Sequence, residues 1–159
     1  MCRSLVALHS LTGCDTTSAF KRRRKAQGLK IIRSSEMISA GLSSPGASFD
    51  VGDELLKVCE EFACRLYGSK SCTSINDWRY HLFATKAAQG DQLPPTRDAL
   101  VQHVRRANYQ AGIWLRALEA TPNIPSPVGH GWRKRGRYAQ SSLDGASPGS
   151  RAVNCSCTV

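Results

Sequence analysis

Three amphipathic patterns in the middle of the chain are its clearest structural signal. In the first, apolar residues recur at spacings of four, three and four, at Leu55, Cys59, Phe62 and Leu66. One face of a helix repeats in this way because a helix has about 3.6 residues per turn. Asp50 or Asp53 supplies a start signal and Gly68 a stop signal. The pattern therefore predicts a helix that begins near Asp53 and ends before Gly68.

Two further helices are predicted downstream. Ser74 and Asp77 have the spacing of an N-terminal capping box, and an aromatic-rich run from Trp78 to Ala88 follows. The third pattern begins after two prolines, ends before Pro122 and steps by four, three, four, three and four, at Leu100, Val104, Ala107, Ala111, Trp114 and Leu118. Gly112 lies inside it, where glycine costs about 1 kcal/mol relative to alanine, which predicts a close helix approach or a bend.

The flanking segments carry weaker patterns. Residues 4–12 predict a short helix that ends at Gly13, and residues 26–32 predict another. Residues 39–48 have loop composition. Three prolines in residues 122–128 predict an extended strap across the helices, because each proline disfavours helical backbone in the residue before it. The Ser/Gly-rich end of the chain is expected to be disordered.

These patterns predict a mostly α-helical fold with little or no sheet. The expected parts are a short basic helix-turn region over 1–35, a flexible connection over 36–52, a three-helix core over 53–121, and an extended or disordered basic Pro/Gly-rich tail over 122–159. The seven cysteines are odd in number and irregularly spaced, which indicates reduced thiols and an intracellular protein. No segment is apolar for long enough to predict a membrane span.

The positive charge lies at the two ends of the chain. The net charge is +10; residues 1–35 carry eight Lys or Arg and one acid, and residues 122–159 carry five Lys or Arg and one acid. The first cluster is Lys21, Arg22, Arg23, Arg24 and Lys25, and the second is Arg133, Lys134, Arg135 and Arg137. Such clusters favour nucleic acid as a partner, bound through its phosphates without sequence preference.

Each basic cluster has a second interpretation. The first could instead be a nuclear localisation signal or a solvated loop. Trp132 and Tyr138 accompany the second cluster, and their rings could stack on unpaired bases or pack against the helices. Contact with nucleic acid is the favoured interpretation because aromatic rings and cations occur together there.

Asp15 is the candidate magnesium ligand, because it is the one acid in the first 35 residues and follows a glycine turn. A turn or capping role for its side chain is nevertheless the favoured interpretation. Hydrolysis with a pair of magnesium ions about 4 Å apart requires several converging carboxylates. A single aspartate does not meet that requirement, so we predict no catalytic residue and no required cofactor.

Cysteine and histidine offer little further chemistry. Cys155 and Cys157 could give two thiolates to zinc, but a zinc site needs four ligands and zinc is not expected. His81 and His103 lie on predicted helices and are interpreted as polar-face or core residues. His130, in a Gly-His-Gly turn, is the candidate for an exposed histidine, with no evident acid–base partner.

Four blocks of sequence carry a family resemblance. They are LHSLTGCDTTSAF (8–20), LPPTRDALVQH (93–103), RANYQAGIW (106–114) and PSPVGHGW (125–132). Together they resemble the C-terminal half of a group of uncharacterised, often transposon-associated invertebrate proteins. The Gly-Cys-Asp segment of that group is similar to the Gly-x-Asp turn of PIN-like and flap-endonuclease-like nucleases.

The resemblance implies roles for two parts of the chain. Asp15 would help to bind magnesium, and Lys21 to Lys25 would contact a phosphate backbone. The relatives carry their other acidic ligands in an upstream sheet, so this chain is expected to be a fragment or a decayed copy. The leading prediction is nucleic-acid binding without turnover, the alternative is a helical protein-interaction module with solvated basic ends, and an active magnesium-dependent nuclease is the third option.

Overall fold

The computed structural model describes residues 2–86, 90–135 and 138–141. Within them the helices are α1 (Cys2–Leu11), α2 (Lys25–Ser34), α3 (Glu36–Gly41), α4 (Asp53–Leu66), α5 (Ile75–Lys86) and α6 (Arg97–Leu115). A 3-10 turn, Gly90–Gln92, precedes α6. Strands β1 (Trp132–Arg135) and β2 (Tyr138–Ser141) pair as an antiparallel hairpin. The predicted fold class, mostly helical with little sheet, is confirmed.

The local signals in the sequence account for the helix ends. The Ser74 hydroxyl accepts a hydrogen bond from the Asp77 amide at 3.4 Å, and the Thr96 hydroxyl accepts one from the Ala99 amide at 3.3 Å. Gly68 takes a φ of +89° just after α4, a left-handed conformation that suits glycine. Helix α6 ends one turn before the last step of its apolar pattern, and Leu118 is fully exposed.

The six helices share one hydrophobic core. Each helix contributes at least one buried apolar side chain, among them Leu8, Ile32, Ile38, Phe62, Ile75 and Val104. Burying such a side chain contributes about 1.5 to 3 kcal/mol, so this core supplies most of the stability. Cys59 and Cys64 belong to it, as predicted, and burial raises the pKa of each thiol to about 12.

The structure differs from the expected organisation before α4. The segment 36–52, expected as a flexible connection, contains helix α3, whose start is capped by the Ser35 hydroxyl. Ile38 and Leu42 lie four residues apart on one face and are fully buried. Helices α1 and α2 reach the same core, and α1 packs along α6. The basic region, the connection and the helical core are therefore packed together.

Gly112 lies at a close approach, but the partner is a side chain of the segment before α4 and not another helix as predicted. A Cβ atom there would lie 2.7 Å from Cε1 of Phe49, so the Phe49 ring occupies the space of the missing side chain. The Phe49 ring also contacts Tyr109, at 5.4 Å between ring centroids, and the Arg116 guanidinium at 4.6 Å. These contacts fix the segment before α4 against α6.

The proline-rich segment crosses α6 as a strap, as predicted. The Tyr109 hydroxyl donates a hydrogen bond to the carbonyl of Pro125 at 2.8 Å. Gly131, with a φ of +86°, packs directly on the backbone of α6 at Gln102. The rest of the expected tail, from residue 142 onward, lies outside the described residues. In the described part of the chain, every helix is too short or too polar to cross a bilayer.

Candidate nucleic-acid interface

A rigid loop after α1 carries the first basic cluster. Gly13 takes a φ of +102°, and the Cys14 amide donates to the Thr17 carbonyl at 3.0 Å. The Thr17 hydroxyl then donates to the Ser10 carbonyl at 2.7 Å, and the Thr16 hydroxyl donates to Gln110 of α6 at 2.7 Å. The chain consequently enters the basic run from a loop that is hydrogen-bonded to two helices.

Lys25 is held at the carbonyl end of α1. Its ammonium group donates to the carbonyl oxygens of Gly13 and His9, and its distance from Nδ1 of His9 is 3.0 Å. The last carbonyls of a helix have no partner within the helix and carry partial negative charge, so a lysine there is stabilising. Lys25 therefore has a structural task that the sequence did not reveal.

The other four cations of the run face different surroundings. Arg23 is half-buried, with its guanidinium 4.3 Å from the centroid of the Tyr67 ring, and its Nε is buried without a hydrogen-bond acceptor among the described residues. Arg22 and Arg24 are exposed. Lys21 is exposed and lines a cleft beside the basic run. Arg22 and Arg24 are therefore accessible to a phosphate backbone, as predicted for the run.

The second cluster is described in part. Arg133 and Lys134 are exposed on β1. Arg135 is the last residue of that strand, and its side chain lies outside the described set, as do Arg137, Cys155 and Cys157 as whole residues. The predicted stacking role of Trp132 competes with packing. Its ring is half-buried, and the Arg106 guanidinium lies 5.8 Å from its centroid.

Asp15 lies on the surface of the rigid loop. Its carboxylate is exposed and has no hydrogen-bond partner among the described residues. Within the described ranges, no three His, Cys, Asp or Glu side chains are grouped so that they could hold a metal ion. The geometry around Asp15 thus offers one carboxylate, while two-metal hydrolysis requires several.

The histidines are used for packing. His103 is buried, and its ring nitrogens lie 2.8 Å from the Leu11 carbonyl and 3.3 Å from the Ser18 hydroxyl, which confirms the core interpretation. His130 is half-buried, so its interpretation as an exposed residue is wrong. Its Nδ1 donates to the Phe49 carbonyl at 3.1 Å and its ring stacks on Tyr109, because the strap folds back onto α6.

His103 is expected to make the fold less stable in acid. Burial is the main cause that lowers the His103 pKa from 6.5 to about 4. Between these values the unfolded chain binds more protons than the folded one, so the free energy of unfolding falls as the pH falls. Above pH 6.5 the His103 ring is neutral in both states and does not lower the free energy of unfolding. Between pH 6.5 and pH 4.5 its protonation in the unfolded chain lowers that free energy by about 2 kcal/mol.

Urea unfolding at several pH values measures this loss. Between pH 6.5 and pH 4.5, His103→Gln should lose about 2 kcal/mol less of its free energy of unfolding than the wild type loses. His81→Gln, at an exposed position on α5, should lose as much as the wild type. Equal slopes for wild type and His103→Gln would contradict the prediction.

A cleft beside the basic run contains two cations that sequence reasoning missed. Its volume is about 270 Å³, and Lys21, Arg79 and Arg106 are among its lining residues. Arg106 also donates to the Gly131 carbonyl at 3.1 Å, directly before β1. One buried arginine thus connects the neighbourhood of the first basic cluster with that of the second. The three residues come from distant parts of the chain, so no local sequence signal predicted the cleft.

Fold and surface together define a small, mostly helical protein with exposed cations on two segments. No protein family, curated protein or solved structure matches the chain. The resemblance to PIN-like nucleases stays a prediction.

Proposed function

We propose that this protein binds nucleic acid without sequence preference and does not cleave it alone, as a relative of PIN-like, metal-dependent nucleases. The observation that carries the proposal is the exposure of cations on two segments. Four of them form the proposed interface, Arg22, Arg24, Arg133 and Lys134, because Lys25 is bound to the end of α1 and Lys21 lines the cleft. Arginine and lysine on a surface release counterions from phosphates, and this supplies most of the affinity in non-specific binding. Magnesium at Asp15 and zinc at Cys155 and Cys157 are not required.

The net charge of +10 supports the same proposal. It draws a polyanion toward the protein over a Debye length of about 8 Å at physiological salt. The proposed location is intracellular, because the cysteines lack the regular spacing of a disulfide framework. The nucleus is favoured over the cytoplasm, because the basic run resembles a nuclear localisation signal.

A salt series tests the proposal. With four phosphate contacts on a single strand, the logarithm of the binding constant should fall with a slope of about −3 against the logarithm of the salt concentration. Affinity for an unstructured DNA oligonucleotide, measured by fluorescence anisotropy, should therefore drop about fiftyfold between 50 and 200 mM salt. An affinity that stays constant over this range would refute electrostatic binding.

The same oligonucleotide tests the absence of turnover. With magnesium present we expect binding but no hydrolysis, because Asp15 is a single exposed carboxylate and two metal ions need several. Asp15→Asn should leave the affinity unchanged. Cleavage that requires magnesium and disappears in Asp15→Asn would instead establish the enzyme.

One observation favours the second candidate function, a protein-interaction module. Helix α5 presents Tyr80 and Phe83 to solvent, with 73% and 61% of their surface exposed. Exposed aromatic side chains are common at protein interfaces. Replacing both by serine should abolish binding to a protein partner while leaving the salt-dependent affinity for DNA intact, so the two functions are separable.

A further inference from the structure

The cleft beside the basic run has mostly apolar walls. Its volume is about 270 Å³. Among the residues that line it are Phe20, Tyr67, Leu93, Pro94, Pro95 and Ala99. An apolar cavity of about 150 Å³ is large enough to bind benzene, so this cleft has room for one flat ring system of the size of a nucleobase.

The aromatic wall of the cleft is fixed by its own packing. The rings of Phe20 and Tyr67 meet edge to face, with 6.3 Å between their centroids and an angle of 86° between their planes. Phe20 also meets the His103 ring edge to face, at 4.9 Å between centroids. The indole of Trp78 donates to the Tyr67 carbonyl at 3.1 Å. Because the wall is already ordered, a ligand pays little to organise it.

Arg79 adds a flat cationic group to the walls. It lines the cleft, and its guanidinium donates to the Pro94 carbonyl, which holds it in place. A guanidinium stacks on an aromatic ring through its flat face, and this contact needs none of its N–H donors. The bond to Pro94 is therefore compatible with stacking. A flat, electron-rich ring is the ligand that suits both the apolar walls and this guanidinium.

The position of the cleft next to exposed cations identifies the source of that ring. Arg22 directly follows Lys21, a lining residue of the cleft, and Arg22 and Arg24 are exposed. A strand whose phosphates contact these arginines brings its bases to the cleft. In a single strand the bases are available for stacking on protein groups. In a duplex each base is paired and stacked, and taking it out of the stack costs free energy.

We infer that the cleft holds one unpaired nucleobase of a bound strand, between its apolar walls and Arg79, so that the protein prefers single strands to duplexes. The inference deepens the proposed function and rests on it. Apolar walls do not read the hydrogen-bonding edge of a base, and every base has a flat face. A base-holding cleft is therefore compatible with binding that has no sequence preference.

Two oligonucleotides of equal length and equal charge test the inference on the full chain, an oligothymidylate and a strand of abasic sites. By fluorescence anisotropy the oligothymidylate should bind about tenfold more tightly, because one base adds stacking to the same phosphate contacts. Ala99→Leu narrows the cleft and should remove most of this difference while leaving the salt slope unchanged. Ala84→Leu, the same change at an exposed position on α5, is the matched control and should keep the full difference. Thermal unfolding verifies that each variant is folded.

Arg79→Lys is a second variant that keeps the charge and removes the flat face, so it should also reduce the preference for the strand with bases. Equal, salt-dependent affinity of the wild type for both strands would overturn the inference and leave the proposed function intact. A preference that survives in Ala99→Leu and Arg79→Lys, or that Ala84→Leu removes as well, would overturn it too. If neither strand shows salt-dependent affinity, the proposed function fails and the inference fails with it.

Discussion

Replacing Asn108 by alanine is expected to lower the free energy of unfolding by about 3 kcal/mol, because it leaves the buried Gly46 amide without a partner and removes two hydrogen bonds to backbone carbonyls. Asn108 is 2% exposed, and its Oδ1 accepts a hydrogen bond from the Gly46 amide at 2.8 Å. Its Nδ2 donates to the carbonyls of Ser48 and Phe49, at 2.8 and 3.0 Å. One side chain therefore satisfies three groups of the segment that joins α3 to α4.

Urea unfolding followed by circular dichroism measures the effect. Asn123→Ala is the matched control, because Asn123 is exposed on the strap and its loss should change stability by no more than about 0.5 kcal/mol. A loss of less than 1 kcal/mol in Asn108→Ala would mean that water replaces the side chain at these three groups.

Replacing the four exposed cations of the interface by glutamine should weaken single-stranded DNA binding about a hundredfold near 0.15 M salt. The variant combines Arg22→Gln, Arg24→Gln, Arg133→Gln and Lys134→Gln. Each lost phosphate contact also removes about 0.7 from the steepness of the salt dependence, so the slope should approach zero. Fluorescence anisotropy over a salt series measures both quantities. Stability should change little, because all four side chains are exposed.

A control of equal charge distinguishes a defined interface from a general effect of net charge. It replaces four other exposed cations by glutamine: Lys30, Arg33, Lys57 and Lys70. Both variants lower the net charge from +10 to +6, since each loses four positive charges. An equal loss of affinity in both variants would show that total charge governs binding and would refute the proposed interface.

The sequence predicts the helices well wherever periodicity and end signals agree. Helix α4 has a four-three-four apolar stripe and a glycine stop, and the structure places both where the pattern does. Helix α3 has only six residues, and its buried Ile38 and the buried Leu42 that follows it stand among serines and a glycine, so the sequence pattern does not predict it. So short a helix forms because tertiary packing stabilises it, and local sequence does not report that packing.

The candidate interface is predictable in composition but not in arrangement. The two basic clusters are visible in the sequence, and so is the lone carboxylate of Asp15. The cleft is not, because Lys21, Arg79 and Arg106 meet only after the chain has folded. The exposure of His130 is predicted wrongly for the same reason. Its glycine neighbours indicate an open turn, but the proline-rich strap brings the ring against Phe49 and Tyr109.

The position of Lys25 determines how the basic run should be altered. Its ammonium group clamps the carbonyl end of α1, so a wholesale alanine replacement of the run would loosen that helix terminus along with the positive surface. Acetylation of Lys25 would have the same double effect, because it neutralises the ammonium. A lower affinity of either altered protein for nucleic acid would then combine a loosened end of α1 with the loss of positive charge.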